Sequence, residues 1–327
     1  MSIISKDIQK AARLLKNEEL VAIPTETVYG LAGNIYSEKA IRAIFETKQR
    51  PFFNPLIVHI PTIENLKTIV ETVPEKAKLL AEAFWPGPIT LVLKKKNSIP
   101  DLITAGKDTV AVRVPNHPLT LDLLKQLDFP LAAPSANPFS SISPTSAQHV
   151  EDYFGRSIKM VLDGGACKSG IESTIIGFDN DEPIIYRLGS TSIEAIEKVV
   201  GKVKLRNTVK EAVQSRVQNT PDAPGMLDRH YAPKTKTILS EDVLQTLQQY
   251  KQKKIGILVF QNKVIDRKIS SQIILSRTGK FEEAAANLYE ALHTLDRQFL
   301  DVIIAEKLPD KDLGKSINDR LQRATQS

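Results

Sequence analysis

Four short segments of the chain place hydroxyl, amide and charged side chains where predicted β-strands begin or end. The segments are Pro24–Gly30 (PTETVYG), Lys48–Asn54 (KQRPFFN), Pro134–Asn137 (PSAN) and Ile171–Thr174 (IEST). In α/β proteins a rigid sheet holds such loops in place, and binding groups concentrate in them. The sequence therefore predicts that these segments carry the binding chemistry of the protein.

The charged side chains in and beside these loops are mostly cations, accompanied by few acids. The cations are Lys48, Arg50, Arg113, Lys168 and Arg187. Arg113 stands inside the apolar strand Val110–Val114, where an unpaired guanidinium would be costly, so it should meet an anion or a carboxylate. The whole set suits a polyanion such as a nucleotide triphosphate, held by charge-assisted hydrogen bonds.

Motifs of hydrolases and of dinucleotide-binding proteins are missing from the sequence. There is no G-x-S-x-G elbow, and none of the five histidines stands in an H-E-x-x-H pattern. No G-x-G-x-x-G follows a predicted strand of the last 90 residues or so. Gly314–Ser316 resembles the end of a P-loop, but Pro309 stands where the first glycine of that motif belongs, and we reject that interpretation.

Two single residues leave alternatives open. His59 lies within an apolar strand and is either a core histidine or a ligand contact. Cys167 stands beside Lys168, which could lower the pKa of its thiol, although a lone thiol is more often incidental.

Length and composition limit the class of protein. The 327 residues suit two domains of roughly 150 residues each, and a hydrophobic content of 42% supports proper cores. No apolar run approaches the ~18 residues of a membrane span, no signal peptide is recognisable, and one cysteine excludes an intrachain disulfide or a multi-cysteine zinc site. We expect a cytoplasmic protein. Its net charge of +6 permits contact with nucleotide or RNA without requiring it.

Residues 1–205 alternate helical and strand patterns, which predicts one α/β domain with a sheet of mixed direction. Ser5 and Ser37 are the expected caps of the first two helices. Further helices are predicted at Glu75–Phe84, Pro118–Leu127, Ser146–Phe154 and Ser192–Val200. Strands are predicted at Leu20–Ile23, Leu56–Ile60, Ile89–Leu93, Val110–Val114, Met160–Leu162, Thr174–Ile176 and Ile184–Tyr186.

The remaining chain divides into a linker, 206–236, and a second domain, 237–327. The linker is rich in proline yet carries Met, Leu, His and Tyr, which favours a segment lying against the protein over an inert tether. In the second domain, strands at Ile255–Phe260, Ile273–Leu275 and Val302–Ala305 are separated by helices at Phe281–Phe299 and Asp312–Ala324. This order predicts a small parallel, Rossmann-like sheet.

The order and spacing of the motifs carry a resemblance that spans nearly the whole chain. PTETVYGL, then K-x-R-P-x-x-x-P-L-x-x-H, then PSAN and EST resemble the threonylcarbamoyl-AMP synthases (YrdC family). The linker sequence APGMLDRHYAP and the appended domain resemble the long, two-domain form, although the linker pattern more often reads SPGM followed by Lys/Arg, Tyr/His and RHY. The resemblance implies a YrdC-like twisted mixed sheet with a concave, positively lined cleft, plus a smaller C-terminal Rossmann-like three-layer α/β domain.

The activity implied by this resemblance is a nucleotidyl transfer. L-threonine, bicarbonate or CO2 and ATP would condense to L-threonylcarbamoyladenylate and pyrophosphate, with Mg²⁺ held by the ATP phosphates and not by protein side chains. A partner complex would then transfer the threonylcarbamoyl group to tRNA. One alternative from another class is a non-enzymatic module that binds double-stranded RNA or tRNA. A carbamoyl-phosphate-using transferase is a weaker alternative, because the chain lacks the length and cysteines of those larger proteins.

The resemblance also implies roles for individual residues. The expected threonine site is Thr27, His59, Arg113, Ala133 and Ser173. The expected ATP site is Lys48, Arg50, Asn54, Thr109, Ser135, Asn137, Ser143, Arg187, Arg229, His230 and Tyr231. No covalent nucleophile is expected, and Lys48 and Arg50 would position the reactants. We also expect the linker to fold over the cleft as a lid that shields the mixed anhydride from water.

Overall fold

A computed structural model describes residues 3–206, 231–250 and 252–325 of the chain. Within these ranges it contains two sheets, one of eleven strands built from the N-terminal part and one of four strands built from the C-terminal part. Within the described residues, no helix is long and apolar enough to cross a membrane. The predicted α/β class is confirmed for both parts of the chain.

The larger sheet is of mixed direction, as predicted. Its strands are β1 (Ile4–Ser5), β2 (Val21–Ile23), β3 (Gly30–Asn34), β4 (Ile57–His59), β5 (Ile89–Lys94), β6 (Thr109–Arg113), β7 (Leu131–Ala132), β8 (Val161–Leu162), β9 (Thr174–Asp179), β10 (Glu182–Arg187) and β11 (Lys204–Leu205). They are ordered β1-β8-β2-β3-β7-β4-β6-β5-β9-β10-β11. The central pair β4 and β6 is parallel, while β7 pairs with β4 and β5 with β6 in antiparallel fashion.

Eight α-helices of the described residues accompany this sheet, and local capping explains where the first two begin. They are α1 (Ile8–Lys16), α2 (Glu38–Lys48), α3 (Leu66–Ile69), α4 (Glu75–Phe84), α5 (Asp101–Thr104), α6 (Pro118–Lys125), α7 (Ala147–Phe154) and α8 (Ile193–Val200), with a short 3₁₀ helix at Ile63–Asn65. Ser37 caps α2 by accepting a hydrogen bond from the amide of Ala40. The expectation that Ser5 caps α1 is wrong. Ser5 belongs to β1 and pairs with Leu162 of β8, and the Asp7 carboxylate caps the helix by accepting a hydrogen bond from the Lys10 amide.

The smaller sheet is entirely parallel and three-layered. Its strands are β12 (Thr237–Ser240), β13 (Ile255–Val259), β14 (Ile269–Ile274) and β15 (Val302–Glu306), ordered β12-β15-β13-β14. Its helices are α9 (Val243–Leu247), α10 (Phe281–Asp296) and α11 (Leu313–Ala324). Side chains of β13 alternate between the faces, since Ile257 packs in the cluster with α9 while Leu258 packs in the cluster with α10 and α11.

The two parts of the chain share a buried interface. Val28, Ile142 and Ile171 of the first part belong to the same apolar cluster as Leu288 and Tyr289 of α10. Polar contacts also cross the interface, among them Lys315 Nζ to Glu194 Oε1 at 2.8 Å, Arg297 Nη2 to Asp152 Oδ2 at 2.6 Å, and Ser316 Oγ to the Gly189 carbonyl at 2.8 Å. The described end of the predicted linker lies against the first part, where the amide of Ala232 donates to the Ser140 carbonyl over 2.9 Å.

One glycine allows the first part of the chain to approach α10 closely. Gly170 has a φ of +69°, and a Cβ atom there would lie 2.5 Å from the carbonyl oxygen of Ala285. Gly165 offers a matched comparison, because its φ is +78° and a Cβ atom there would meet nothing within 4 Å.

We expect Gly170→Ala to lower the free energy of unfolding more than Gly165→Ala does. Both variants carry the left-handed backbone cost of about 1–2 kcal/mol, and only Gly170→Ala adds a clash worth about 1–3 kcal/mol. Urea unfolding of the two variants beside the parent measures the difference. Equal losses would contradict the close approach of the loop to α10.

Candidate active site

A cleft opens where several strands of the larger sheet begin or end, and it encloses about 560 Å³ of empty space including open solvent. Its lining residues come from the ends of β2, β4, β6, β7 and β10, from the starts of β3 and β9, from the loop after α2, and from the described end of the linker. They are Thr25, Thr27, Val28, Gly30, Arg50, Ile57, His59, Arg113, Ala133, Pro134, Ser135, Glu172, Ser173, Arg187 and Tyr231. The four polar segments of the sequence therefore meet at one place.

Arg113, at the end of β6, is the centre of one wall. It is 4% exposed; its Nη1 donates to Thr27 Oγ1 over 3.0 Å and its Nε to the Gly87 carbonyl over 3.2 Å. Its Nη2 lies 2.7 Å from Glu26 Oε1, an ion pair without the alignment of a hydrogen bond. The other oxygen of Glu26 accepts from the Asn116 amide. The carboxylate that Arg113 was expected to meet is thus supplied by the chain itself.

His59 stands beside Arg113 on the same wall, because β4 and β6 pair in parallel with these two residues in register. It is buried, and its Nδ1 has no hydrogen-bond partner among the residues that the structure describes. Burial, and then the charge of Arg113, lower the pKa of His59 to about 3. His59 is therefore a neutral imidazole with an unused ring nitrogen in the wall of a polar cleft.

The other expected threonine contacts complete this wall. Thr27 Oγ1 is 2.8 Å from Thr25 Oγ1, and Ser173 Oγ is 2.7 Å from Thr90 Oγ1. Ala133 follows β7 and also lines the cleft. All five residues predicted for the threonine site are therefore brought together.

Arg50 and Arg187 form a cationic wall. Arg50 donates through Nε to the Asn54 carbonyl over 3.2 Å and through Nη2 to the Pro55 carbonyl over 2.8 Å. Arg187 donates through Nη2 to the carbonyl oxygen of Ser173 over 2.8 Å. Burial and the neighbouring Arg187 lower the pKa of Arg50 to about 9, and burial also lowers the pKa of Arg187. Two buried guanidiniums that destabilise one another favour an anion between them.

Lys48 was predicted to lie in the ATP site, but its side chain lies outside the lining of the cleft. Its ammonium group donates to the carbonyl oxygens of Ser135 and Asn137, each over 2.5 Å, and it does not line the cleft. Burial, and then Arg50, lower its pKa well below the usual range. In this structure Lys48 fastens the PSAN loop, and its direct contact with a nucleotide stays a prediction.

The remaining residues predicted for ATP fall into three groups. Ser135 and Tyr231 line the cleft, whereas Thr109 lies at the start of β6 outside the lining, and Arg229 and His230 lie outside the described residues. Asn54 and Asn137 are fully buried, and amide atoms of both lack hydrogen-bond partners among the described residues. Ser143 is buried and donates to Glu172 Oε1 over 2.6 Å.

Two carboxylates were missed by the sequence analysis. Glu26 pairs with Arg113, and Glu172 lines the cleft next to Ser173. Both stand inside polar motifs of the sequence, PTETVYG and IEST. Their position in these motifs was the signal that could have identified them as residues of the site. The alternative that Lys168 lowers the pKa of the Cys167 thiol is wrong, because burial raises that pKa to about 12.

The mixed sheet with its cationic cleft, joined to a small parallel sheet, defines a YrdC-like α/β protein with a Rossmann-like second domain. A family model described as "Telomere recombination", named for Sua5, YciO and YrdC, matches residues 13–189. A second model, described as "Threonylcarbamoyl-AMP synthase, C-terminal domain", matches residues 191–326. The chain belongs to the threonylcarbamoyl-AMP synthase family.

Similar proteins cover nearly the full length. Threonylcarbamoyl-AMP synthase of Pyrococcus abyssi is 41% identical, over 97% of this chain and 94% of its own. The protein of that name from Bacillus subtilis is 38% identical, over 99% of this chain and 94% of its own. The crystal structure of P. abyssi Sua5 complexed with L-threonine superposes with a TM-score of 0.89 at 39% identity, covering 99% of this chain and 96% of that chain.

The lowered pKa of His59 predicts how stability depends on pH. The unfolded chain binds a proton at the ordinary pKa of 6.5, whereas the folded chain binds it only near 3. The resulting contribution is complete above about pH 6.5 and is lost as the pH falls toward 3. We expect His59→Gln to reduce the pH slope of the unfolding free energy by up to about 1.4 kcal/mol per pH unit between pH 6 and 4.

Urea unfolding at a series of pH values measures this slope. His293 has a pKa lowered to about 3 by burial and then by His149, so His293→Gln should reduce the slope similarly. A slope that His59→Gln leaves unchanged would show that His59 is not buried in its neutral form.

Proposed function

We propose that this chain condenses L-threonine, bicarbonate or CO2, and ATP to L-threonylcarbamoyladenylate and pyrophosphate, for threonylcarbamoyladenosine modification of tRNA. The observation that carries the proposal is one cleft with two complementary walls. One wall offers Arg113, Thr27 and Ser173 to an amino acid, and the other offers Arg50 and Arg187 to phosphates. Membership of the threonylcarbamoyl-AMP synthase family supports the same assignment.

Threonine would lie against the wall of Arg113. Its carboxylate would join the guanidinium, whose Nη2 lacks an aligned hydrogen bond despite its contact with Glu26. The unused Nδ1 of neutral His59 and the hydroxyls of Thr27 and Ser173 are suited to the amine or the hydroxyl of the substrate. The similar P. abyssi protein was crystallised as a complex with L-threonine, which supports this choice of amino acid.

ATP would lie against Arg50 and Arg187. A triphosphate between the two guanidiniums would relieve their mutual repulsion, which contributes to the lowered pKa of Arg50. Ser135 lines the same cleft and would help to hold the nucleotide, and the amide of Asn137 lies buried in the same loop.

The chemistry requires positioning more than covalent participation. The threonine amine captures CO2 as a carbamate, a carbamate oxygen attacks the α-phosphorus of ATP, and pyrophosphate leaves with the electrons of the broken bond. The protein holds anionic reactants together and offsets their charge. The protonated, buried Cys167 takes no part in this sequence.

We further propose that Mg²⁺ enters the site with ATP. The described residues contain no group of three or more His, Cys, Asp or Glu side chains that could hold a metal ion. Phosphate oxygens and water would then be its main ligands, which is a common coordination for Mg²⁺. The ion would offset charge on the triphosphate.

The product would be used by a partner complex that transfers the threonylcarbamoyl group to tRNA. We propose that the chain works in the cytoplasm, together with the tRNA. Direct contact of the basic surface with RNA belongs to the same proposal. A module that only binds RNA would need none of the small-molecule chemistry described above.

Product analysis with single omissions tests the proposal. ATP, Mg²⁺, bicarbonate and threonine are supplied together, and each is left out in turn. We expect pyrophosphate and threonylcarbamoyladenylate to form only with the complete set. Turnover without threonine would overturn the substrate assignment, and RNA affinity without any turnover would favour the binding module.

Variants of the two walls should separate the substrates. We expect Arg50→Ala to raise KM for ATP about 10- to 100-fold and Arg113→Ala to raise KM for threonine by a similar factor, because each removes charge-assisted hydrogen bonds. Steady-state kinetics with one substrate varied at a time measure both constants.

Two further variants make this comparison specific. Arg42→Ala removes an exposed arginine paired with Glu38 and should leave both constants unchanged. Arg113→Ala alone leaves the buried Glu26 carboxylate without its ion pair, and adding Glu26→Gln removes that charge. A high KM for threonine that persists in the double variant would therefore reflect lost binding and not a folding defect. Equal effects of Arg50→Ala and Arg113→Ala on both substrates would show that the walls are not divided in this way.

A further inference from the structure

Glu172 is a buried carboxylate in the wall of a cleft that is otherwise cationic. It is 6% exposed and directly precedes Ser173 at the turn into β9. Its Oε1 accepts from Ser143 Oγ over 2.6 Å. A carboxylate in this position would repel the phosphates of a nucleotide unless its charge is offset.

Two groups that offset this charge come from the second domain. Arg320 of α11 is 1% exposed and donates through Nε to Glu172 Oε2 over 3.1 Å. Tyr289 of α10 donates its hydroxyl to the same oxygen over 2.9 Å. Arg320 and Glu172 are 148 positions apart in the chain, so the pair exists only when the domains are docked.

The same two residues hold the described end of the linker. The ring of Tyr231 lies 5.7 Å from that of Tyr289 at an interplanar angle of 27°, and the guanidinium of Arg320 lies 5.1 Å from the Tyr231 centroid. Tyr231 lines the cleft. Arg320 and Tyr289 therefore lie directly behind two lining residues without lining the cleft themselves.

We propose that Arg320 and Tyr289 are positioning residues through which the second domain sets the charge and geometry of the nucleotide side of the cleft. This inference rests on the proposed function. Arg320 supplies the counter-charge of Glu172, and Tyr289 fixes its orientation. Glu172 then holds Ser143 and the turn that carries Ser173, whose carbonyl in turn binds Arg187.

Removal of one partner of a buried ion pair strands the other charge, whereas removal of both does not. We expect Arg320→Met to weaken the affinity for ATP with Mg²⁺ at least tenfold, because the Glu172 carboxylate then faces the phosphates without its interdomain ion pair. Adding Glu172→Gln to Arg320→Met should recover most of that loss. In Arg320→Met the affinity for threonine should fall less than the affinity for ATP.

Lys315→Met is the matched control. Lys315 stands on the same helix and forms an interdomain ion pair with Glu194 outside the cleft. Lys315→Met should leave the affinity for ATP close to that of the parent, because a partly exposed ion pair contributes little. If the second domain only adds stability, Arg320→Met should weaken the binding of ATP and of threonine alike. That outcome would overturn the proposal.

Tyr289→Phe provides a gentler variant that keeps the ring against Tyr231. It should raise KM for ATP about fivefold with little change in kcat, since it removes one hydrogen bond to a charged group. Tyr250→Phe, at a partly buried tyrosine in the other apolar cluster of the second domain, should change neither constant. An unchanged KM in Tyr289→Phe would overturn the role of its hydroxyl.

Two readouts distinguish failure of this inference from failure of the proposed function. Titration calorimetry with ATP and Mg²⁺ alone requires no turnover, and amide hydrogen exchange of 141–145 and 171–174 requires no ligand. We expect faster exchange in both segments for Arg320→Met and Tyr289→Phe and not for Lys315→Met. A parent chain without threonine-dependent pyrophosphate release would contradict the proposed function while leaving these two measurements interpretable.

Discussion

Burial of cationic groups at the edge of one sheet is the constraint on which the rest of the structure depends. Among the residues that the structure describes, five cations are at most 7% exposed: Lys48, Arg50, Arg113, Arg187 and Arg320. Each needs compensation, because desolvation penalises a charge that stays unpaired. Backbone carbonyls compensate Lys48 and Arg50, and Glu26 and Glu172 compensate Arg113 and Arg320. Arg50, Arg113 and Arg187 therefore hold loops of the cleft and are also the cations that would receive substrate.

This arrangement explains how the chain alone can hold the cleft in shape. Arg50 Nη2 donates to the Pro55 carbonyl, and Arg187 Nη2 donates to the carbonyl and hydroxyl oxygens of Ser173. These neutral acceptors satisfy the donors without cancelling their charge. The positive potential of that wall is preserved for phosphates. On the opposite wall the ion pair of Arg113 with Glu26 reduces the local charge, as suits a singly charged amino acid more than a polyanion.

Much of the architecture could be predicted because the strands and helices that position the cleft have strong local patterns. The predicted strand Ile184–Tyr186 lies within β10, and the helix predicted to start at Phe281 begins there but ends at Asp296 and not at Phe299. Five strands escaped prediction: β1, β7 and β11 are two residues long, β3 contains two glycines, and β12 directly follows the predicted linker. The five residues predicted for threonine were found through motifs, whereas the partners of Glu172 were not, because contacts across 117 and 148 positions leave no local signal.

The dependence of Glu172 on the second domain has an evolutionary consequence. A descendant that lost residues after 205 would retain every predicted threonine contact, but its Glu172 carboxylate would lose the guanidinium of Arg320 and the phenol of Tyr289. Loss of the domain would leave that charge beside the nucleotide side of the cleft, which would favour a change at Glu172 or the gain of a new cation in the first domain.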